Sequence, residues 1–184
     1  MPTAVTQHEL RHRLDIYRFD AFDTARKAGV LTAYDTNLRL KLWPLTRARA
    51  IIHAACAMAD IILPGLDDAT QLTGLNNPDA IVDFYLGLGA RVVALTLGHE
   101  GSLVATPVRR ERFRPIKVDA IDATGAGDCY DGAFLAEYLR TGDAFAAGAY
   151  ANVAAALSTL GYGAVAPLPR RADVEARIAA EARS

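Results

Sequence analysis

The sequence has little of what would indicate a disulfide scaffold, a zinc protein or a nucleic-acid binder. Its two cysteines, Cys56 and Cys129, are far apart and form no CxxC pair, so a reducing cytosol is expected and a disulfide framework or zinc ribbon is not. The 20 basic and 21 acidic side chains leave a net charge of −1. The chain therefore offers no broad field to nucleic acid or an anionic membrane, and its four histidines have no metal-ligand spacing.

Targeting and membrane segments are also not evident. The first 15 residues carry charges where the apolar part of a secretory signal would lie, and we expect a cytoplasmic protein. One uncharged stretch, Ala144 to Pro169, is long enough for a bilayer, which takes about 20 residues. It is rich in alanine and glycine and contains Asn152, Ser158 and two prolines. A buried helix followed by a glycine-rich loop is predicted instead.

Apolar residues, by contrast, are plentiful enough for a packed core. The 184 residues are 52% hydrophobic and 22% charged, which is typical of one folded domain, or most of one. Short apolar runs predict strands at Val30–Asp35, Asp60–Leu63 and Arg91–Thr96. Helices are predicted at 10–28, 46–59, 67–73, 78–88, 128–140, 143–160 and 172–180, and an antiparallel strand pair at 103–106 and 111–115.

Strands that alternate with helices predict a parallel sheet covered on both faces. Ligands of such sheets bind at the carboxyl ends of the strands. Four segments are therefore candidates for the site: the loop after Asp35, Pro64–Asp68, Thr96–Gly101 and Asp122–Asp128.

The segment DATGAGDCYDG, residues 122–132, carries the strongest chemical signal. Gly125, Ala126 and Gly127 stand directly before a predicted helix, whose free N–H groups and dipole favour an anion such as a phosphate. Asp128 has two interpretations. It could cap the helix, or it could act as a base that takes a hydroxyl proton while the N–H groups hold the developing charge. The segment is neither a Walker loop nor a GxGxxG motif.

This segment resembles the C-terminal signature of the PfkB (ribokinase-like) carbohydrate kinases. The resemblance implies that Gly125, Ala126 and Gly127 form an anion hole and that Asp128 is the catalytic base. Ala123 stands where many members have Thr, Ser or Pro. The implied fold is of the α/β class, a ribokinase-like three-layer α/β/α arrangement with a mainly parallel sheet.

Two further features are similar to the nucleotide side of the same family. TLGHEGS, residues 96–102, looks like the turn that borders the phosphates and adenosine, which implies that Thr96, Gly98 and Gly101 bind ATP. A simple glycine turn is the alternative. Asn152 lies where the family lines its adenine pocket, and the alternative is a buried asparagine bonded to the backbone.

The metal positions are also implied by the resemblance. ILPGLDDATQLTG, residues 62–74, is similar to the family's Asn-x-x-Glu segment, with Gly65 at the Asn position and Asp68 at the Glu position. A carboxylate there could hold Mg²⁺ through water, so ATP and Mg²⁺ are the expected cofactors. Asp122 and Thr124, with GYGAVAP at 161–167, match the place where some members bind a monovalent cation.

The acceptor is indicated by DTNLRLKLW, residues 35–43. A fixed arginine suits a carboxylate because its planar fork can bond both oxygens, although a solvated surface loop is the alternative. The stretch resembles the DPNLRxKLW segment of 2-keto-3-deoxygluconate kinases, with Thr36 replacing the proline. The resemblance implies that Arg39, with Asn37 and Asp35, binds an acid sugar whose 6-hydroxyl receives the γ-phosphoryl of ATP.

The resemblance covers only the C-terminal part of the family's domain. We expect residues 1–184 to form a single partial domain, the nucleotide-binding and catalytic part, with the N-terminal part and its lid missing. A truncated sheet edge would invite self-association. Two alternatives stay open: an inactive module that binds a nucleotide or anion, and a PfkB kinase for another sugar such as ribose or fructose.

Overall fold

A five-stranded sheet forms the middle layer of the structure, a computed structural model that describes residues 19–181. Its order is β1-β2-β3-β4-β5, with the first three strands parallel and the last two added antiparallel. The strands are β1 (Ala33–Asp35), β2 (Ile61–Leu63), β3 (Val92–Thr96), β4 (Ser102–Ala105) and β5 (Arg110–Phe113). The three predicted buried strands are thus the parallel part, and the predicted antiparallel pair is β4 with β5.

Helices follow the strands in the predicted order. The beginning of the predicted first helix, from Leu10, lies outside the described residues. The helices are α1 (residues 19–27), α2 (Leu45–Cys56), α3 (Leu66–Thr73), α4 (Pro78–Gly87), α5 (Ala126–Thr141), α6 (Ala144–Ser158) and α7 (Arg171–Glu181).

The helix boundaries follow local chemistry. The side chain of Asn77 accepts hydrogen bonds from the N–H groups of Asp79 and Ala80 and so caps α4 at Pro78. Asp143 caps α6 in the same way. Gly74 ends α3 in the left-handed conformation, with φ +78°.

Two hydrophobic cores make the architecture a three-layer α/β/α sandwich. Alternating residues of β2 point to opposite faces: Ile62 packs with the core on the α1–α4 side, and Ile61 and Leu63 pack with the core beneath α5 and α6. The first core includes Ile52, Leu72, Ile81, Tyr85, Val93 and Leu95. The second includes Val92, Ala94, Val104, Tyr130, Phe134, Ala147 and Ala151.

The uncharged, alanine-rich segment from Ala144 to Pro169 is a buried helix, α6, followed by a loop, as predicted. Within residues 19–181, no helix combines the length and the apolar character needed to cross a bilayer.

The carboxyl ends of the parallel strands lie at one edge of the sheet. A single parallel bridge between Gly65 and Thr96 extends the pairing of β2 and β3 past Leu63, and the Thr96 N–H donates to the Pro64 carbonyl. The loops after these two strands therefore lie side by side, where the sequence places the candidate site.

Candidate active site

The start of α5 is built around a glycine in the left-handed conformation. Gly125 is the N-cap residue with φ +77°, and a Cβ added to it would lie 2.6 Å from the Cβ of Ala164. The N–H of Ala126 donates to the Ala123 carbonyl at 3.1 Å. Among the described residues, no carbonyl accepts from the N–H groups of Gly125, Gly127 and Asp128, so these three amides are available to an anion.

Asp128 is the third residue of α5 and is exposed. The interpretation of this residue as the helix cap is wrong, because the N-cap position belongs to Gly125 and no side chain caps the helix. Its carboxylate accepts no hydrogen bond and forms no ion pair within the described part of the chain. It is therefore free to accept a proton from a bound molecule.

Asp122 holds the loop before α5 against the loop after α6. One of its carboxylate oxygens accepts from the N–H of Thr124 at 2.9 Å and from its hydroxyl at 2.7 Å, and the other accepts from the Gly163 N–H at 2.8 Å. These bonds, led by the one from the Thr124 hydroxyl, lower the pKa of Asp122. The residues predicted to hold a monovalent cation thus lie together, although no group of three acidic, histidine or cysteine side chains suited to a metal occurs between residues 19 and 181.

A pocket of about 510 Å³ opens between the β3–β4 turn, the segment after β5, the start of α5 and the C-terminal half of α6. All four predicted nucleotide-binding residues line it, together with two residues of the predicted anion hole. These six are Thr96, Gly98, Gly101, Asn152, Ala126 and Gly127. Its other walls are mostly apolar and include Ile116, Val118, Ala155 and Ala156, a lining suited to a flat base with its phosphates at the helix start.

Asn152 is bonded to the backbone, as one interpretation predicted, and its role beside an adenine stays a prediction. Its side-chain amide donates to the Arg114 carbonyl at 2.7 Å, and its oxygen accepts from the Ser102 hydroxyl at 3.4 Å. It is therefore bonded to the backbone and also lies in the pocket wall. Gly101, at φ +94°, approaches β5 so closely that a Cβ would overlap the Phe113 carbonyl oxygen.

The turn after β1 is organised by two carboxylates. Asp35 accepts a hydrogen bond from the Asn37 N–H at 3.0 Å, and Asp68 accepts one from the Leu38 N–H at 2.7 Å. Asn37 has φ +26° and is exposed, whereas Leu38 is buried. Arg39 is exposed, and its guanidinium donates to the Leu38 carbonyl at 3.2 Å. The predicted acceptor residues thus form one compact turn, which is separate from the lining of the pocket.

Electrostatic coupling connects that turn to α5. The pKa of Asp35 is raised, chiefly by burial and also by the charges of Asp128 and Asp68, against the lowering effect of the Asn37 N–H. Burial, with the charges of Asp35 and Asp128, raises the pKa of Asp131 to about 8. Asp131 is not among the predicted site residues, although its three-residue spacing from Asp128 places both on one face of α5.

The geometry therefore defines a class of site: an apolar pocket that ends at an anion-binding helix start, with a free carboxylate between that start and a polar turn. The model of the pfkB family carbohydrate kinases matches residues 15–171. The chain belongs to this family, whose members are phosphotransferases.

Individual relatives agree with that assignment. The chain is 31% identical over 160 residues to the ribokinase of Staphylococcus aureus, which covers 84% of this chain and 50% of that protein. It is 34% identical over 115 residues to the 2-dehydro-3-deoxygluconokinase of Bacillus subtilis, covering 61% of this chain and 35% of that protein. A Vibrio cholerae fructokinase crystallised with fructose, ADP and calcium superposes with a TM-score of 0.79 at 29% identity, over 86% of this chain and 54% of that one.

The fold is therefore ribokinase-like, as the sequence predicted. The chain spans about half the length, or less, of the relatives and the solved structure that it matches.

Proposed function

We propose that this chain is the nucleotide-binding and catalytic part of an ATP-dependent sugar kinase that phosphorylates the 6-hydroxyl of 2-keto-3-deoxygluconate or a similar acid sugar. One observation carries the proposal: the pocket lined by the predicted nucleotide residues ends at the helix start that presents Asp128. On its other side, Asp128 is coupled by charge to Asp35, the first residue of the turn that bears Arg39.

Asp128 would act as the general base. Its carboxylate is exposed and has no partner among the described residues, so it can take the proton of the 6-hydroxyl as the oxygen attacks the γ-phosphorus. The bond from the γ-phosphorus to the bridging oxygen then breaks, and ADP leaves. The amides of Gly125 and Gly127 and the dipole of α5 would stabilise the negative charge on the transferring group.

The residues present fit Mg²⁺ held through water. One oxygen of Asp68 accepts from Leu38, and the other accepts no hydrogen bond from residues 19–181. A single carboxylate oxygen that accepts no hydrogen bond would suit a metal that keeps most of its waters. When bound, Mg²⁺ neutralises phosphate charge. The place of Asp122 and Thr124 beside Gly163 is compatible with a monovalent cation in the neighbouring loop.

Arg39 would select an acid sugar. Within residues 19–181, its only hydrogen bond is to the carbonyl of its own turn, so the guanidinium can rotate to a carboxylate without breaking an ion pair there. The similarity to the Bacillus subtilis 2-dehydro-3-deoxygluconokinase supports this choice. The similarities to a ribokinase and a fructokinase favour a neutral sugar as the second candidate.

The base is tested with Asp128→Asn in a coupled assay of ADP release. We expect kcat to fall by roughly 10²–10⁴-fold, while the affinity for Mg²⁺-ATP measured by calorimetry changes less than about threefold. If the wild type and Asp128→Asn release ADP equally slowly with every sugar while both bind Mg²⁺-ATP, the chain is a binding module without kinase activity.

The acceptor is tested with Arg39→Ala, and Lys41→Ala serves as the matched control because it removes another exposed base from the same loop. We expect Arg39→Ala to weaken acid-sugar affinity by about 1–3 kcal/mol, the scale of a charge-assisted hydrogen bond. Activity with ribose or fructose should change little. A wild type that prefers ribose and is indifferent to Arg39→Ala would keep the family and reject the acid sugar.

A further inference from the structure

We infer that Asp68 is a positioning residue that fixes the turn bearing Asn37 and Arg39 by accepting a hydrogen bond from the Leu38 amide. The statement that this turn presents its side chains to an acid sugar rests on the proposed function. The hydrogen bond itself does not, so the two can be tested separately.

The turn has few other restraints. Thr36 is 2% exposed and Leu38 is 5% exposed, so both are fixed by burial on either side of the exposed Asn37. Asn37 lies at φ +26°, a conformation that is uncommon for non-glycine residues and that asparagine adopts more readily than most. The Asp35 bond fixes the Asn37 amide, and the Asp68 bond at 2.7 Å fixes the next amide along the chain.

Asp68 is suited to this role because it lies on a rigid support. It is the third residue of α3, and the next residue, Ala69, is fully buried in the core, with Leu72 one turn further at 1% exposure. Its neighbour Asp67 is exposed, and its side chain makes no hydrogen bond within the described part of the chain. Only one of two adjacent carboxylates therefore reaches the turn, and Asp67 provides a matched control.

Two functions of this carboxylate can be separated by substitution. The oxygen that accepts from Leu38 needs no charge, whereas a metal held by the other oxygen does. Asp68→Asn keeps an acceptor for the Leu38 amide and removes the charge. Asp68→Ala removes both, and Asp68→Leu replaces it if the alanine variant does not fold, since leucine also lacks an acceptor and is a good helix former.

The experiment is amide hydrogen exchange by NMR on the nucleotide-free chain. We expect the Leu38 amide to exchange at least tenfold faster in Asp68→Ala, and within about threefold of the wild-type rate in Asp68→Asn and Asp67→Ala. The amide of Val93, in the middle of β3, reports whether the fold is intact in each variant. Unchanged Leu38 exchange in Asp68→Ala, or equal loss of protection in Asp68→Asn and Asp68→Ala, overturns the inference.

Steady-state kinetics of the same variants then test whether the turn positions the acceptor sugar. Both variants should raise the KM for Mg²⁺-ATP, but only Asp68→Ala should also raise the KM for the acid sugar, by about tenfold. Equal acceptor KM values for the two variants would show that the turn does not position the acceptor. If no variant has activity while Leu38 exchange behaves as expected, the positioning role stands and the proposed function fails.

Discussion

The apolar pocket, with the start of α5 at its end, and the turn after β1 are built by different means. The pocket is formed by backbone and small side chains: Gly101 and Gly125 have positive φ, and neither has room for a Cβ. The turn is held by two carboxylate hydrogen bonds, from Asn37 to Asp35 and from Leu38 to Asp68. The pocket therefore depends on packing that few residues can satisfy, whereas the turn depends on side-chain oxygens that an amide can replace.

Close packing behind the pocket explains why α6 is rich in alanine. Gly148 faces the sheet, where a Cβ would lie 2.6 Å from Val104 and 2.8 Å from the ring of Phe113. Ala147 and Ala151 on the same helix are fully buried. Larger side chains would push α6 away from β4 and β5 and open the pocket that Asn152 lines.

The largest loss of stability and of anion binding is expected from Gly125→Ala. The positive φ and the overlap with Ala164 together should cost about 2–4 kcal/mol of unfolding free energy. Binding of phosphate or Mg²⁺-ATP should weaken at least tenfold, because the amide of Gly125 would be displaced. Urea unfolding and calorimetry measure the two quantities.

Gly127→Ala is the matched control in the same loop. A Cβ there meets nothing within 4 Å, and the residue has an ordinary φ, so its stability should stay within about 0.5 kcal/mol of the wild type. If the two variants were equally stable, the close packing of Gly125 against Ala164 would not be what this loop depends on.

A smaller loss of stability is expected from Glu137→Gln. Glu137 lies on α5, away from the site. Glu137 is 5% exposed and accepts from Arg140 at 2.6 Å and from Arg171 of α7 at 2.9 Å. The hydrogen bond from Arg140 is the main cause that lowers its pKa to about 2, from an ordinary value of 4.5. The arginines are partly exposed, so we expect a loss of about 1–2 kcal/mol at pH 7.

The stability lost in Glu137→Gln should become smaller as the pH falls. A depressed pKa means that the stabilisation is present above pH 4.5 and disappears as the pH falls through about 2. The difference in denaturation midpoint between Glu137→Gln and the wild type should therefore shrink between pH 5 and pH 2. A difference that stays constant over this range would show that the carboxylate charge contributes nothing.

The smallest change in stability, in this case an increase, is expected from Asp131→Asn. Asp131 lies between the pocket and the turn. Its pKa is raised to about 8 from 3.8, first by burial, so the folded state loses stability as the pH rises from about 4 to about 8. The asparagine variant should be more stable than the wild type by about 1 kcal/mol at pH 8 and equal to it near pH 4. Thermal unfolding at both pH values measures this, and an unchanged difference would place Asp131 in an open, solvated position.

The sequence predicted the features that depend on short-range pattern. The spacing of apolar residues predicted the three parallel strands and the β4–β5 pair. The preferences of capping residues predicted the Asn77 cap of α4 and the glycine that ends α3. The strand-end rule placed Thr96 and Gly98 correctly, because they follow the parallel strand β3. Part of the segment 122–128 lines the same pocket for a different reason, since the last strand before it, β5, is antiparallel.

Features that depend on contacts distant in sequence could not be predicted. The bond from Leu38 to Asp68 joins residues 30 apart, and no pattern in either segment indicates it. Asp131 stands out only when α5 lies beside Asp35, since burial there raises its pKa. The N–H of Ala126 donates to the Ala123 carbonyl because of the shape of the turn, which the sequence Gly-Ala-Gly alone does not determine.

The hydrogen bond between Asp122 and Gly163 has a consequence for the order of folding. It closes a loop of 41 residues that contains both α5 and α6. Closing so long a loop is entropically costly until the helices within it have formed and packed. The contact between Gly125 and Ala164 is made by the same two loops. The loop before α5 is thus expected to be assembled among the last parts of the molecule, and an anion bound at the proposed site would report that the whole C-terminal half has reached its native arrangement.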